Sequence, residues 1–429
     1  MRRRAWVVLI AGLTVTLVLL SSLFVVFNDK AHRRWDKLRH GWLPAMVEWE
    51  SAPAGNAGLN ALVLEELRDD LASRGTSSLL IVRHGRIVYE WYAPQAAVDE
   101  GLGTASLAKS LAGGMALLVA LSDGHLNLDD PVSQYLPGWA DDPLRSKVTV
   151  RHLATHTSGL EDAKEPGVAH RDLRGWKGDF WSRDSNPFRL VLENARPHFR
   201  PGSAFSYSST GFAALGYAIT ASLRGTVDDG IRGLLRRRIM EPIGVPRGAW
   251  SMGYYAEYVH DGLRLHPVWG GGSYTSRAAA RVGQLMLNKG RWNGQVLVDS
   301  EWVDAVTSYY GTPLPDRSED PAHPATAAAW FTNFDGVWPS VPTDAFAGAG
   351  KGHQILLVVP SLELVVVRFG SRLDRGQSRQ GFWEAADAYL FRPLMDALLT
   401  SPMRKTAASA RVYSPTSGAE RVTASDLIR

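Results

Sequence analysis

The first pattern along the chain is an uncharged run, AWVVLIAGLTVTLVLLSSLFVVF, from Ala5 to Phe27. It is long enough to cross a bilayer as a helix. Residues 28–50 then mix Trp with basic groups, as an amphipathic juxtamembrane segment would, and SAPAGNAGLN reads as a linker. LVLEELRDDLASRG carries apolar residues at helical spacing and predicts a first surface helix. SLLIVRHGRIVYEWY holds two β-rich runs around Arg83, His84 and Gly85, which predicts a hairpin. GTASLAKSLAGGMALLVALSDG is apolar nearly all round. It predicts a buried helix running to about Ser122, with Gly124 placed to stop it. Strand signals return late, in AWFTNF, DAFAGAG, HQILLVVP and LELVVVRFG, before a helix from Phe382 to Leu399. Strands at both ends with helices between predict an α+β domain. Its antiparallel sheet would be closed by the chain termini and flanked by helices, with a helical lobe inserted. The division expected is an anchor at 1–27, a juxtamembrane segment and linker at 28–58, a domain at 59–400, and a small, polar, disordered tail at 401–429.

With 429 residues, 45% of them hydrophobic, the chain can bury a large core. Lys and Arg number 47 against 43 Asp and Glu. The longest like-charge run is the initial RRR, so the sequence offers no nucleic-acid footprint. Cysteine is absent, which excludes disulfides and thiolate chemistry. A cleavable signal peptide has an apolar core of about 7–15 residues and ends at a small-residue site. The run at 5–27 meets neither condition, so an uncleaved anchor is expected. Lys30, Arg33, Arg34, Lys37 and Arg39 follow it closely and nearly balance the three N-terminal arginines. The positive-inside rule therefore leaves its orientation close to a tie.

One residue in the apolar helix needs a reason. Lys109 sits where an unpaired ammonium is costly, and Ser106 lies one turn before it on the same face. Burial disfavours an ammonium relative to the neutral amine, and a neutral amine can take a serine's proton. The helix N-terminus would also favour negative charge on the attacking oxygen. A second stretch, RPGSAFSYSSTGFAALGYAI, places Tyr207 on the loop entering another apolar helix, with Thr210 as its cap. A tyrosine beside a lysine can relay a proton or act as a base; a core tyrosine packed under a turn is the competing reading. The third stretch is AFAGAGKGHQILLVVP, where Gly and Ala would let a substrate approach the backbone and edge N–H groups could hold an oxyanion. His152 and His156 are one turn apart but lack the glutamate of a metalloprotease helix, so no metal is expected there. His353 reads as packing as readily as function. Trp176, Phe180 and Trp181 could line an acyl pocket or simply pack.

In order, these stretches resemble the motifs of the serine β-lactamase and penicillin-binding-protein superfamily, in particular its class C-like branch, over residues 60 to 395. Ser106 and Lys109 match its Ser-x-x-Lys. Tyr207-Ser208-Ser209 matches the tyrosine of Tyr-x-Asn and puts Ser209 at the asparagine. Gly348-Ala349-Gly350 matches only the final glycine of Lys/His-Thr-Gly. VTVRHLATHTSGL, GGGSYTSRAAARVGQLMLNKGRWNG and GKGHQ are similar to the versions in carboxylesterases and 6-aminohexanoate-oligomer hydrolases. The resemblance implies a β-lactamase-like fold without a cofactor. It implies a serine hydrolase in which Ser106 is acylated, Lys109 and Tyr207 shuttle the proton, and the N–H groups of Ser106 and Lys351 hold the oxyanion, with Ser209, Gly348 and Gly350 at the substrate. It also implies a small ester or amide substrate and a catalytic domain outside the cytoplasm. The alternatives are a β-lactamase or D-Ala-D-Ala peptidase, or a non-catalytic relative of the same fold.

Overall fold

The computed structural model describes residues 49–398, apart from Arg183, Asp229 and residues 376–379. The uncharged run at 5–27 and the polar tail lie outside the described residues. The hairpin forms as β1 (Thr76–Arg83) and β2 (Arg86–Tyr92). His84 and Gly85 between them take φ of 51° and 74°, the left-handed geometry that matches the twist of a two-residue hairpin. The late signals become β3 (Ala325–Thr326), β4 (Phe331–Thr332), β5 (Phe346–Gly350), β6 (Gln354–Val359) and β7 (Leu364–Gly370). AWFTNF supplies only the short β4, because Ala329 turns the chain with φ of 66° just before it.

Among the described residues the main sheet has seven antiparallel strands in the order β2-β1-β7-β6-β5-β4-β3. The first strand pairs with the last, Arg83 opposite Leu364 and Thr76 opposite Gly370. Side-chain alternation divides two cores. Leu80, Val82, Leu356, Val358, Val365 and Val367 face the helical lobe. Leu79, Ile81, Ile355, Leu357, Leu364 and Val366 face α1 (Ala61–Ser73) and the C-terminal helices that begin at Phe382. Both faces of the sheet are covered, so its central strands read as continuous apolar runs rather than alternating ones. The stretch SAPAGNAGLN lies against the sheet edge: Ala52 N–H donates to Ile87 O and Ile87 N–H to Glu50 O, both at 2.9 Å.

The lobe contributes α2 (Met115–Ser122), α3 (Ser209–Ser222) and α4 (Ser276–Leu287). Helix α2 stops at Ser122 and Gly124 follows at φ of 70°. Ahead of it the expected single α-helix is not regular. Ala105–Leu107 is a 3-10 turn and Lys109–Gly114 is π-helical, a widening common at functional sites. Gly113 and Gly114 let it sit close to its neighbours: a Cβ on them would lie 3.3 Å from Phe212 and 3.0 Å from Ala329. The whole segment Ala105–Ser122 is apolar enough to cross a membrane by length and composition, but it is buried as the central helix of the lobe.

Candidate active site

The 3-10 turn that carries Ser106 begins with a strained residue. Ala105 has φ of 46°, a left-handed conformation that crowds any Cβ and persists only where its surroundings enforce it. The loop Trp269–Gly272 does so. Gly271 N–H donates to Ala105 O at 3.2 Å, Thr104 N–H donates to Gly272 O at 3.2 Å, and the Thr104 hydroxyl donates to Gly271 O at 3.0 Å. Leu107 N–H closes the turn on Thr104 O at 3.0 Å.

Lys109 is buried, and its partners explain how. Nζ donates to Trp269 O at 2.5 Å and to Ser209 Oγ at 3.4 Å. It lies 4.8 Å from the Tyr207 ring centre and 5.5 Å from that of Phe212. A buried lysine amine is tolerated when it is hydrogen-bonded and packs against aromatic rings. Ser106, Lys109, His156, Tyr207, Phe212 and Ala349 border one small pocket. Serine, lysine and tyrosine thus line the same pocket although Tyr207 is far from the other two in sequence.

Tyr207 is held by a residue the sequence left among the weak candidates. His156, itself at φ of 60°, accepts the Ser208 N–H on Nδ1 at 3.1 Å and the Ser206 N–H on its carbonyl at 2.8 Å. The two bonds flank Tyr207, and the imidazole packs 4.3 Å from its ring. Burial first, and then the charges of Lys109 and Lys164, hold this imidazole well below the usual histidine range. It is neutral, with Nδ1 free to accept. His152 serves elsewhere, in a reciprocal cap with Thr149. Helix α3 is capped two residues before the position expected. Ser208, not Thr210, accepts the Gly211 N–H at 2.8 Å, and the Thr210 hydroxyl donates to Glu161 O instead. Asp162 takes the N–H groups of Ser209 and Thr210 at 2.8 and 3.2 Å, a carboxylate against the positive end of the helix.

The glycine-rich strand lies close against the turn that carries Ser106. A Cβ on Gly350 would lie 2.3 Å from Thr104 O and 3.0 Å from Ser106 N, and one on Gly348 would lie 2.6 Å from Leu107 and 2.7 Å from Ser110 Oγ. Beyond Gly350 the turn is fixed by buried side chains. Arg368 donates to the carbonyls of Gly352 and His353, and Gln354 to that of Lys351 at 3.1 Å. The Lys351 side chain is exposed. His353 is occupied on both nitrogens, by Leu373 N–H and Phe382 O, and stacks on Phe382 at 4.1 Å, which makes it structural. Phe180 lies 4.9 Å from the Trp269 ring and 5.0 Å from that of Trp181, so this aromatic group backs the residue that holds Lys109.

Known proteins carry the same architecture. The Beta-lactamase family model matches residues 63–391. The chain belongs to the Beta-lactamase family. It is 26% identical to the 6-aminohexanoate-dimer hydrolase of Paenarthrobacter ureafaciens, over 65% of this chain and 71% of that one. A penicillin-binding protein homologue from Caulobacter crescentus superposes with a TM-score of 0.57 at 18% identity, covering 78% of this chain and 99% of the other. A family VIII carboxylesterase superposes with a TM-score of 0.55 at 18% identity, with the same coverage of 78% and 99%. Membership of this family supports a hydrolase of the serine β-lactamase type.

Proposed function

We propose that the protein cleaves small esters or amides through an acyl-enzyme on Ser106. What carries this reading is Lys109, a buried amine whose hydrogen bonds and ring contacts hold it among Ser209, Trp269 and Tyr207, in the pocket that Ser106 also lines. In the proposed reaction Ser106 Oγ attacks the carbonyl carbon while the Lys109–Tyr207 pair, with one of its two groups unprotonated, takes its proton. The oxyanion rests on the N–H groups of Ser106 and Lys351. The proton then passes to the leaving alcohol or amine as its bond to the carbonyl carbon breaks. Water, giving a proton to the same pair, attacks the ester on Ser106, and the pair returns that proton to Ser106 Oγ as the acid leaves.

The preference for small neutral substrates is supported by what surrounds the third motif. Where β-lactamase relatives place a cation for the substrate carboxylate, this chain has Gly348, and a Cβ there would already meet Leu107 and Ser110 under 3 Å. Ser209, at the asparagine position, points its hydroxyl to Lys109. A charge-assisted hydrogen bond contributes about 1.5–3 kcal/mol, so its absence lowers affinity for a carboxylated lactam by about one to two orders of magnitude. Comparing kcat/KM for p-nitrophenyl acetate and butyrate with that for a chromogenic cephalosporin tests this. The esters are expected to lead; a cephalosporin ahead by tenfold or more replaces the reading with a β-lactamase or D-Ala-D-Ala peptidase. The uncharged run at 5–27 supports the further proposal that the enzyme is anchored at a membrane, with its catalytic domain outside the cytoplasm. Membrane fractionation with protease accessibility on spheroplasts tests both halves; a soluble, trimmed product or a protected domain would refute them in turn.

A further inference from the structure

Three consecutive residues near the site are left-handed: Gly253, Tyr254 and Tyr255, with φ of 62°, 57° and 60°. For the two tyrosines this crowds Cβ against the following carbonyl, and left-handed residues other than glycine occur singly as a rule. Such conformations persist where the surroundings over-determine them, and they cluster at functional sites. The surroundings here are explicit. Gly253 is pressed on Pro267, where a Cβ would lie 2.7 Å from Cδ and 2.8 Å from the carbonyl oxygen. Tyr255 N–H donates to Met252 O at 3.2 Å and Ala256 N–H to Gly253 O at 2.9 Å. The Tyr255 hydroxyl is tied to Ser273 Oγ at 3.0 Å.

The strained turn delivers the Tyr254 ring onto bare backbone. A Cβ on Gly271 would lie 2.4 Å from its Cδ1, and one on Gly270 would lie 2.7 Å from its hydroxyl oxygen and 3.7 Å from Ala105 O. The peptides it covers are the ones that organise catalysis. Gly271 N–H holds Ala105, Gly272 O holds Thr104, and Trp269 O accepts from Lys109 Nζ. We propose that Tyr254 is a positioning residue, whose ring clamps the Trp269–Gly272 loop so that the loop holds the Ser106 turn and Lys109 in register. The role rests on Ser106 being the nucleophile. Loop and ring fit because positions 270 and 271 carry no side chain; the strain at 254 aims the ring.

Stability and rate should then move in opposite directions in one variant. Tyr254→Gly removes both the left-handed strain and the ring. We expect its Tm to hold or rise, while kcat for p-nitrophenyl butyrate and the rate of fluorophosphonate labelling fall about tenfold or more with KM within about threefold. Tyr254→Phe keeps the ring and should restore the wild-type rate. Wild-type kcat in Tyr254→Gly overturns the clamp. So does a loss of rate that follows a loss of Tm across Tyr254→Gly, Tyr254→Ala and Tyr254→Phe, which would make Tyr254 packing alone. Ser106→Ala, labelled in parallel, separates the two ideas: if it still reacts, the nucleophile assignment and the clamp built on it both fall, whereas a silent Ser106→Ala beside a fully active Tyr254→Gly removes only the clamp.

Discussion

Replacing Gly350 by alanine adds a single methyl at the closest approach in the site. Its Cβ would lie 2.3 Å from Thr104 O, 2.8 Å from Leu107 N and 3.0 Å from Ser106 N. Ordinary contact starts near 3.4 Å, so β5 and the Ser106 turn must separate by about 1 Å. Neither side retreats easily. Thr104 is tied to Gly271 and Gly272 by its hydroxyl and its N–H, and β5 is paired along Phe346–Gly350 with β6. The Gly350 backbone is not left-handed, so alanine brings no conformational strain and the effect is steric. Overpacking of this kind costs about 1–3 kcal/mol, less than the stability of a typical domain, which is about 5–15 kcal/mol. The variant should therefore fold. A displacement of about 1 Å between nucleophile and oxyanion donors costs about a hundredfold in rate. The assay is kcat/KM for p-nitrophenyl butyrate together with the first-order rate of fluorophosphonate labelling, with Tm measured on the same samples. Gly55→Ala is the control, since a Cβ there meets nothing within 4 Å. Gly350→Ala within threefold of wild type would show that β5 and the nucleophile turn do not set each other's position.

Lys109→Ala and Tyr207→Phe should slow acylation by about two to four orders of magnitude while the protein stays folded, because in the proposed reaction the two groups share one proton path; near-normal labelling in either removes it from the mechanism. His156→Ala removes the acceptor for Ser208 N–H and the surface behind the Tyr207 ring, so kcat should fall at least tenfold with KM little changed; an unaltered kcat would show that Tyr207 is held by other means. His353 is held at about 4 by burial, against a usual value of about 6.5. It stays neutral in the folded protein while the unfolded chain takes up the proton, so its contribution to stability is present above pH 6.5 and is lost as pH falls toward 4. The slope is about 1.4 kcal/mol per pH unit in that window, and His353→Gln should flatten the curve of stability against pH there; an unchanged curve refutes the assignment.

Much of the site was legible because its chemistry is out of place in its surroundings. A lysine inside an apolar helix needs a partner, and that pointed to Ser106. Trp269 carried no such signal, because a backbone carbonyl leaves no mark on residue identity, yet it is the nearer acceptor for Lys109. The three consecutive glycines after it were the available clue. His156 was visible, but beside His152 it read as part of a structural helix and turn; only the folded chain shows it reaching across to Ser208. The cap at Ser208 rather than Thr210 follows from competition among neighbouring hydroxyls in SYSST, any of which could bond the first turn. The π-helical turn at Lys109–Gly114 was illegible, since the same apolar residues serve an α-helix equally well. That strands from both ends of the chain close one sheet was readable, because the long apolar runs there must cover each other; the short β3 and β4 lie in sequence too brief for any period to show.

The central claim is that Ser106 is the acylated nucleophile. Mass spectrometry of the protein after reaction with a fluorophosphonate tests it most directly. The account predicts one adduct, on the peptide that contains Ser106, and none on Ser106→Ala. An adduct on a different serine, or an undiminished adduct on Ser106→Ala, would contradict it.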